Sequence, residues 1–468
     1  MSGKKFFYLM SIFTAIILIL VIIIATATDN TEANNKIESA VHYNMAKNLY
    51  LQKQYKQASD ELLKALKLNS MDSRIFLELG KNYAKLDKID DAVKSFKKSI
   101  YLDKNNIEAY INLAQIYNSQ TKYSDSIKLL LHLKSSQNSE ILSLLGEAEY
   151  KNNNISAAED NIKKAILTGS VPAKNYNLLG LIYLRQGKAS NAIMQFRKAI
   201  AVDKTFVEAR CNLAKALWID DKLNYAVVEL ENNINYNPDY PETYYLLGKI
   251  YSRNNLYQKA NDNFIKIFEI DQAAISREMI EDIVKELENI APKSQSASVY
   301  NTLAIAYSKL SLNDKAIMAY NAAIKGHIND ALIYNNLASL YFQKNNISKA
   351  VYYYNKALKL SPNESIYYYD LGNCYKKVKN YKKAIYNYNK ALKLNPSLNI
   401  ARVTLADIYK EQGNLKTAKI LYNQAIQKNS SEPYAYSGLS EIAEKQGNKS
   451  LSAKYKSLYL QYISNKKT

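Results

Sequence analysis

Three histidines and two cysteines are the whole supply of imidazole bases, thiol nucleophiles and soft metal ligands in this 468-residue chain. His42, His132 and His327 stand far apart in the sequence, with no second His or Cys at ligand spacing from any of them. Cys211 and Cys374 are too few to staple a disulfide scaffold. The stretch Gly180 to Lys188, GLIYLRQGK, has six residues between its glycines where a phosphate-binding loop needs four, and Ala189 follows where Ser or Thr would hold magnesium. These residues support no catalysis, no cofactor and no metal, so the chain reads as a non-enzyme whose chemistry is recognition.

The charge narrows what it recognises. Sixty-three basic residues against 43 acidic ones give a net charge of +20, but only seven of the basic residues are arginine. Specific phosphate and base contacts favour the planar, bidentate guanidinium, so a lysine-dominated excess argues against nucleic acid. The densest basic stretch runs from Asn373 to Leu394, with seven lysines and no acid. It reads as a solvated face, or as a surface for a polyanion.

Only 12 glycines and 7 prolines, with 47% apolar and 23% charged residues, indicate a helical, globular chain. Phe6 to Ala25 are twenty consecutive uncharged residues, which as a helix would span about 30 Å, the thickness of a bilayer core. This predicts a signal anchor over 1–28 followed by a linker over 29–38. Lys4 and Lys5 before it, and Asp29, Glu32 and Glu38 after it, predict a cytoplasmic N-terminus and an extracytoplasmic bulk. Ala25-Thr26-Ala27 also fits a cleavage site, after which the chain would be secreted.

Beyond residue 38 the sequence repeats. Small residues recur at Ala46, Gly80, Ala114, Gly146, Gly180, Ala214, Gly248, Ala304, Ala338, Gly372, Ala406 and Ser440, and nine of the eleven gaps are 34 residues. Twelve positions after each comes Ala, ten times, or Ser, twice. Small residues at fixed spacing let two helices cross closely, so each unit is a helix–turn–helix pair. Gly187, Gly413 and Gly447 share one position between the two helices, where a left-handed cap favours glycine. Pro238, Pro362 and Pro396 share another, where proline stops the second helix.

Repeat 10, with Tyr368, Leu371, Gly372, Tyr375, Ala384, Tyr388, Ala391 and Pro396, resembles the tetratricopeptide repeat throughout. Twelve such units account for about residues 39–466: repeats 1–7 over 39–274, an insertion over 275–296, and repeats 8–12 over 297–466. The insertion carries Met279, Ile280, Ile283, Leu287 and Ile290 at helical spacing and Pro292 at its end, predicting an amphipathic helix. The resemblance implies an all-α, right-handed superhelical solenoid, here preceded by one N-terminal transmembrane helix. In such a solenoid Cys211 and Cys374 lie too far apart to bridge.

The resemblance also implies which residues face a binding groove. With the recurring small residue as position 8, the fifth, sixth, ninth, twelfth and thirteenth residues of each first helix would line it. Asn112, Asn212 and Asn336 fall at the sixth position, and Asn177, Asn301 and Asn335 at the fifth. Asparagine amides both donate to and accept from a peptide backbone, and so can hold extended chains. The ladder is broken by Glu78, Leu246 and Asp370 at the sixth position. Trp218, Tyr245, Phe342, Tyr369, Asn373, Lys376 and Lys377 also map to groove positions. The family's carboxylate-clamping Lys and Asn pair is absent, since repeat 1 has Tyr43 and Lys47 there.

The sequence therefore predicts a non-catalytic scaffold at the cell envelope, binding protein or peptide segments in its groove. The alternatives are a binder of anionic polysaccharide or cell-wall polymer, and a regulatory subunit of a separate enzyme. Self-association along the solenoid edges stays open.

Overall fold

The computed structural model describes residues 32–133, 135, 137–169, 172–270 and 275–464. Among the described residues there are twenty-five helices and no strand. The first spans residues 32–51 and takes in most of the stretch expected to be a linker, with Ser39 already buried and donating to the Ala65 carbonyl at 2.9 Å.

The expected localisation is corrected. Among the described residues no helix is long and apolar enough to cross a membrane, and the anchored, outward-facing arrangement has no support there. The segment over 6–25, on which that expectation rested, lies outside the described residues.

The chain divides into two compact units between Asn237 and Pro238. Each is a solenoid-like run of antiparallel helix pairs, such as Ser73–Lys85 with Ile89–Leu102 in the first unit and Ser365–Lys377 with Tyr381–Leu394 in the second. Why the pairs close is legible at position 8. A Cβ placed on Gly180 would lie 2.5 Å from the Phe196 ring, and one on Gly372 would lie 2.7 Å from the Tyr388 ring. The second-helix ring therefore rests against the bare backbone of the first helix. The alanines twelve residues on, Ala58, Ala92 and Ala384 among them, are fully buried at the same crossing.

The turn within each pair is one motif used twelve times. At position 15 the backbone is left-handed in every repeat, with φ from 57° at Asp221 to 79° at Gly413. The next N–H reaches back to the carbonyl at position 11, as Lys88 to Tyr83 at 2.9 Å and Asn380 to Tyr375 at 2.9 Å. This Schellman arrangement satisfies the last carbonyls of the first helix. Only three of the twelve positions are glycine, at Gly187, Gly413 and Gly447; the others hold Lys, Asp, Thr, Asn or Ser. In the second unit the following asparagine then caps the next helix: Asn346, Asn380, Asn414 and Asn448 each accept from a backbone N–H three residues on. The second helices stop at Tyr236, Leu360 and Leu394, two residues ahead of Pro238, Pro362 and Pro396.

The insertion forms one helix, Arg277–Ser294, capped by the Ser276 hydroxyl. Pro292 sits inside its last turn and does not end it; the stop comes at Gln295, at φ 48°. Ile283, Leu287 and Ile290 are fully buried, so this helix belongs to the core of the second unit. In repeat 4 the buried Glu149 carboxylate accepts from the buried Asn161 amide at 2.6 Å.

Candidate functional site

Three cavities lie along the first helices, of about 280, 220 and 530 Å³. The first is lined by Lys81, Lys85, Asn112 and Gln115, and the second by Glu147, Lys151, Asn177 and Leu178. The third, in the second unit, is lined by Ile305, Lys309, Leu332, Asn336 and Gln343. Positions 6, 9 and 13 recur in all three. The cavity-lining side of the first helices is the candidate inner face of each unit, and the 530 Å³ cavity is in the size range of ligand sites. Ile265, Phe268 and Glu269, from the second helix of repeat 7, close one side of it.

In the first unit most of the expected groove amides are turned on one another. Asn212 donates to Asn177 at 3.0 Å, Asn177 donates to Glu208 at 3.3 Å, and both asparagines are buried. Asn112 donates to the Glu108 carbonyl of its own helix at 2.7 Å. Lys81 pairs with Glu78 and with Glu108 of the next repeat. Trp218 is half-buried on the first helix of repeat 6. This inner face is largely self-satisfied, because charged and amide residues at positions 2, 6 and 9 of neighbouring helices are complementary.

Tyr245 is not a free groove residue. Its hydroxyl donates to Asp282 on the insertion helix, and Lys249 reaches both Tyr245 at 3.1 Å and Asp282 at 3.0 Å. Ser252 donates to Glu286 of the same helix at 3.0 Å. Burial and the Asp282 carboxylate push the Tyr245 phenol up to about 12, while the bonds from Tyr245 and Lys249 hold Asp282 below the usual carboxylate range. The insertion thus occupies the inner face of repeat 7.

The second unit is built differently. Tyr320, Tyr354, Tyr388 and Tyr422, each 34 residues from the last, are all but fully buried where the first unit has Leu62, Phe96, Leu130, Ile162, Phe196 and Leu230. Their hydroxyls reach the inner-face side chains. Asn336 donates to Tyr320 at 3.2 Å, Tyr388 donates to Asn373 at 2.7 Å, and Tyr422 donates to Asp407. Asp370, at the sixth position of repeat 10, is pushed up to about 6 by burial, against a hydrogen bond from Asn373. Burial and the neighbouring Asp370 push the Cys374 thiol up to about 12.

Of the remaining expected residues, Tyr369 lies 5.8 Å from the Tyr388 ring, and Phe342 is half-buried. Asn301 and Asn335 are half-buried, with side-chain carbonyl oxygens that accept no hydrogen bond among the described residues. Lys376 is half-buried, whereas Lys377 stands at the turn edge beside Lys344 and away from the floor. Position 2 was missed. In repeats 9–12 it holds Leu332, Ile366, Ile400 and Tyr434, all exposed, where repeats 2–6 have Arg74, Glu108, Glu140, Lys174 and Glu208 and repeats 7 and 8 have Glu242 and Ser298. A register comparison extended to that position would have found them. Among the described residues no three His, Cys, Asp or Glu side chains converge as metal ligands would.

Residues 331–364 and 365–398 match one sequence model of the tetratricopeptide repeat; 73–106, 241–273 and 401–429 match a second, and 180–219 match a TPR repeat model. Over these stretches the chain carries tetratricopeptide repeats. No curated protein matches it. The solved structures similar to this chain include Naa15/Naa10 bound to HypK-THB, at 15% identity over 93% of this chain and 76% of that one, with a TM-score of 0.44. They also include the APC/C hetero-tetramer Cut9-Hcn1, at 14% over 91% and 94%, TM-score 0.35. A third is MamA 41-end from Desulfovibrio magneticus RS-1, at 17% over 36% and 97%, TM-score 0.34.

Proposed function

We propose that this protein is a non-catalytic scaffold that holds extended segments of partner proteins along the inner faces of its first helices. The observation that carries this reading is the recurrence of positions 6, 9 and 13 in the walls of three separate cavities. A surface repeated at helix spacing suits a ligand repeated along its own length, which a peptide is and a compact metabolite is not. Asn336, Asn373, Tyr369 and Phe342 are the groove residues we assign to the second unit, and Asn112 and Trp218 to the first. The test is crosslinking from a photoreactive residue placed at Asn336 and, separately, at the outer-helix residue Tyr386. Peptide-length adducts from Asn336 alone support the groove; adducts from Tyr386 alone refute it.

A second reading rests on the lysines of repeats 9 and 10. Lys356 lies 4.9 Å from the Tyr352 ring and Lys390 lies 5.9 Å from that of Tyr368, while Lys376, Lys377, Lys382, Lys383 and Lys393 form no ion pair among the described residues. Such a surface suits an anionic polymer. Binding of that kind collapses as salt shortens the Debye length from about 10 Å at 0.1 M to about 3 Å at 1 M, whereas groove binding of a peptide persists.

A further inference from the structure

The helix over residues 32–51 exposes a face that every later first helix buries. Positions 3, 7 and 10 are buried in each of repeats 2–12, from Ile75, Leu79 and Asn82 to Ala435, Leu439 and Ile442. Ile75 and Leu79 show how: they share a core with Leu62 and Ala65 of the second helix before them. In repeat 1 the same positions hold Val41, Met45 and Asn48, and all three are exposed, Val41 by 60% and Met45 by 51%. Ile37, one turn before Val41, is 65% exposed. Ile37, Val41 and Met45 thus form an i±4 ridge, the kind by which helices most often pack, on a stacking face that no described residue covers.

The order of side chains on this face says what fits it. At about 100° per residue, seven of them lie within about 60° of Val41. A two-fold axis at Val41 that reverses the helix sets each residue against the one equally far from Val41 on the other side. Ile37 then meets Met45, apolar on apolar. Glu38 meets Asn44, an amide donor for its carboxylate, and Asn34 meets Asn48, two amides that each donate and accept. All seven are exposed, and Glu38 is the one charge among them. The other charged groups of the helix point elsewhere: Lys36 pairs with Glu32, Lys47 lies over the Tyr43 ring, and His42 is bonded to Glu61.

A head-to-tail arrangement does not offer the same fit. It would need a second helix with apolar residues at positions 20, 24 and 27, as Ala58, Leu62 and Ala65 provide for Ile75. The last described helix, Lys449–Ser464, has Ser452, Lys456 and Tyr459 there.

We propose that this face is an interface with a second copy of the chain, in which two repeat-1 helices pack antiparallel across a two-fold axis at Val41. None of the seven residues lines a cavity of the first helices, so both copies keep those cavities open, and the proposal is independent of the groove reading. One helix face on each side is small for a specific interface, so the dimer dissociates on dilution.

The test uses the full chain, whose own Cys211 and Cys374 are buried. Ile37→Cys, Val41→Cys and Met45→Cys are each oxidised at about 50 μM. Val41→Cys is expected to link to itself, because the axis brings the two copies of that residue together. Ile37 stands four residues, about 6 Å, from the axis, so its two copies lie about 12 Å apart, beyond the roughly 7 Å reach of a disulfide. Ile37→Cys and Met45→Cys should therefore stay unlinked alone and link to each other when mixed. The exposed double variant Val41→Lys/Met45→Lys should dimerise at least about tenfold more weakly by analytical ultracentrifugation, with its helix content unchanged. Failure of Val41→Cys to link, or a parent chain that is monomeric at about 100 μM, overturns the inference. Self-linking at all three positions reports a parallel bundle and overturns it too, as does undiminished dimerisation of Val41→Lys/Met45→Lys. A photoreactive residue at Val41 that marks residues 1–31 of its own chain would name that segment as the cover and rule out the second copy.

Discussion

The Tyr388 hydroxyl donates to the side-chain oxygen of Asn373 at 2.7 Å, one residue along the helix from the glycine on which the same ring rests. Packing and groove chemistry are joined in that single side chain. Tyr388→Phe should keep the stacking on Gly372 and lose about 1 kcal/mol of local stability. Gly372→Ala drives a methyl into the ring and should cost about 1–3 kcal/mol. Hydrogen exchange across residues 365–394 would report both, since repeat arrays open locally. Protection in Gly372→Ala equal to that of the parent would show that the ring is not seated as described.

Asp370 makes the second unit pH-sensitive in a definite direction. Its folded pKa, about 6, lies above the unfolded value of about 3.9. The stability it contributes is therefore fully present below about pH 4 and is lost as pH rises through about 6. Asp370→Asn should stabilise the unit at pH 7 by on the order of 1 kcal/mol after allowance for solvent screening, and change nothing below pH 4. Urea unfolding at pH 4 and pH 7 decides it.

The insertion responds at both ends of the pH scale. Asp282 is held below its ordinary range, so its contribution is present above about pH 4 and lost as pH falls through the lowered value. Tyr245 is raised, so its contribution is present below about pH 10 and lost as pH rises through about 12. Protection of amides in Arg277–Ser294 should fall at both extremes. In Asp282→Asn the acid limb should flatten.

The left-handed turns offer stabilising substitutions. Thr121, at φ 59°, is β-branched in a conformation that crowds its Cβ. Thr121→Gly should stabilise the first unit by roughly 0.5–1 kcal/mol, measured as an upward shift in the thermal midpoint. Gly413→Ala, at φ 79° and with open space around it, should cost about 1 kcal/mol through backbone strain alone.

Much of the fold was legible in the residues because a repeat reports one position many times. Glycine at 187, 413 and 447 announced a left-handed turn, and all three have φ between 73° and 79°. The groove was less legible, for a physical reason. Periodicity says which residues share a face, but not which neighbour a polar group finds across the next helix. Asn177 and Asn212 sit on the first helices and are turned on each other. Tyr245 was assigned to the groove because nothing in its own helix reveals that Asp282, 37 residues on, would reach it. The tyrosine ladder was hidden because Tyr388 and Phe196 fill the same core slot, and only the hydroxyl's reach distinguishes them.

Nine of the twelve joints hold a side chain in a backbone conformation that glycine would take without strain. Within each unit a helix pair is clasped only by its immediate neighbours. Such a structure has no single keystone. Pulled along its length, either unit should give way hinge by hinge, each release paying out one helix pair while the rest keeps its shape. A scaffold made this way would behave under tension as a ratcheting spring, shedding length in even steps of one repeat.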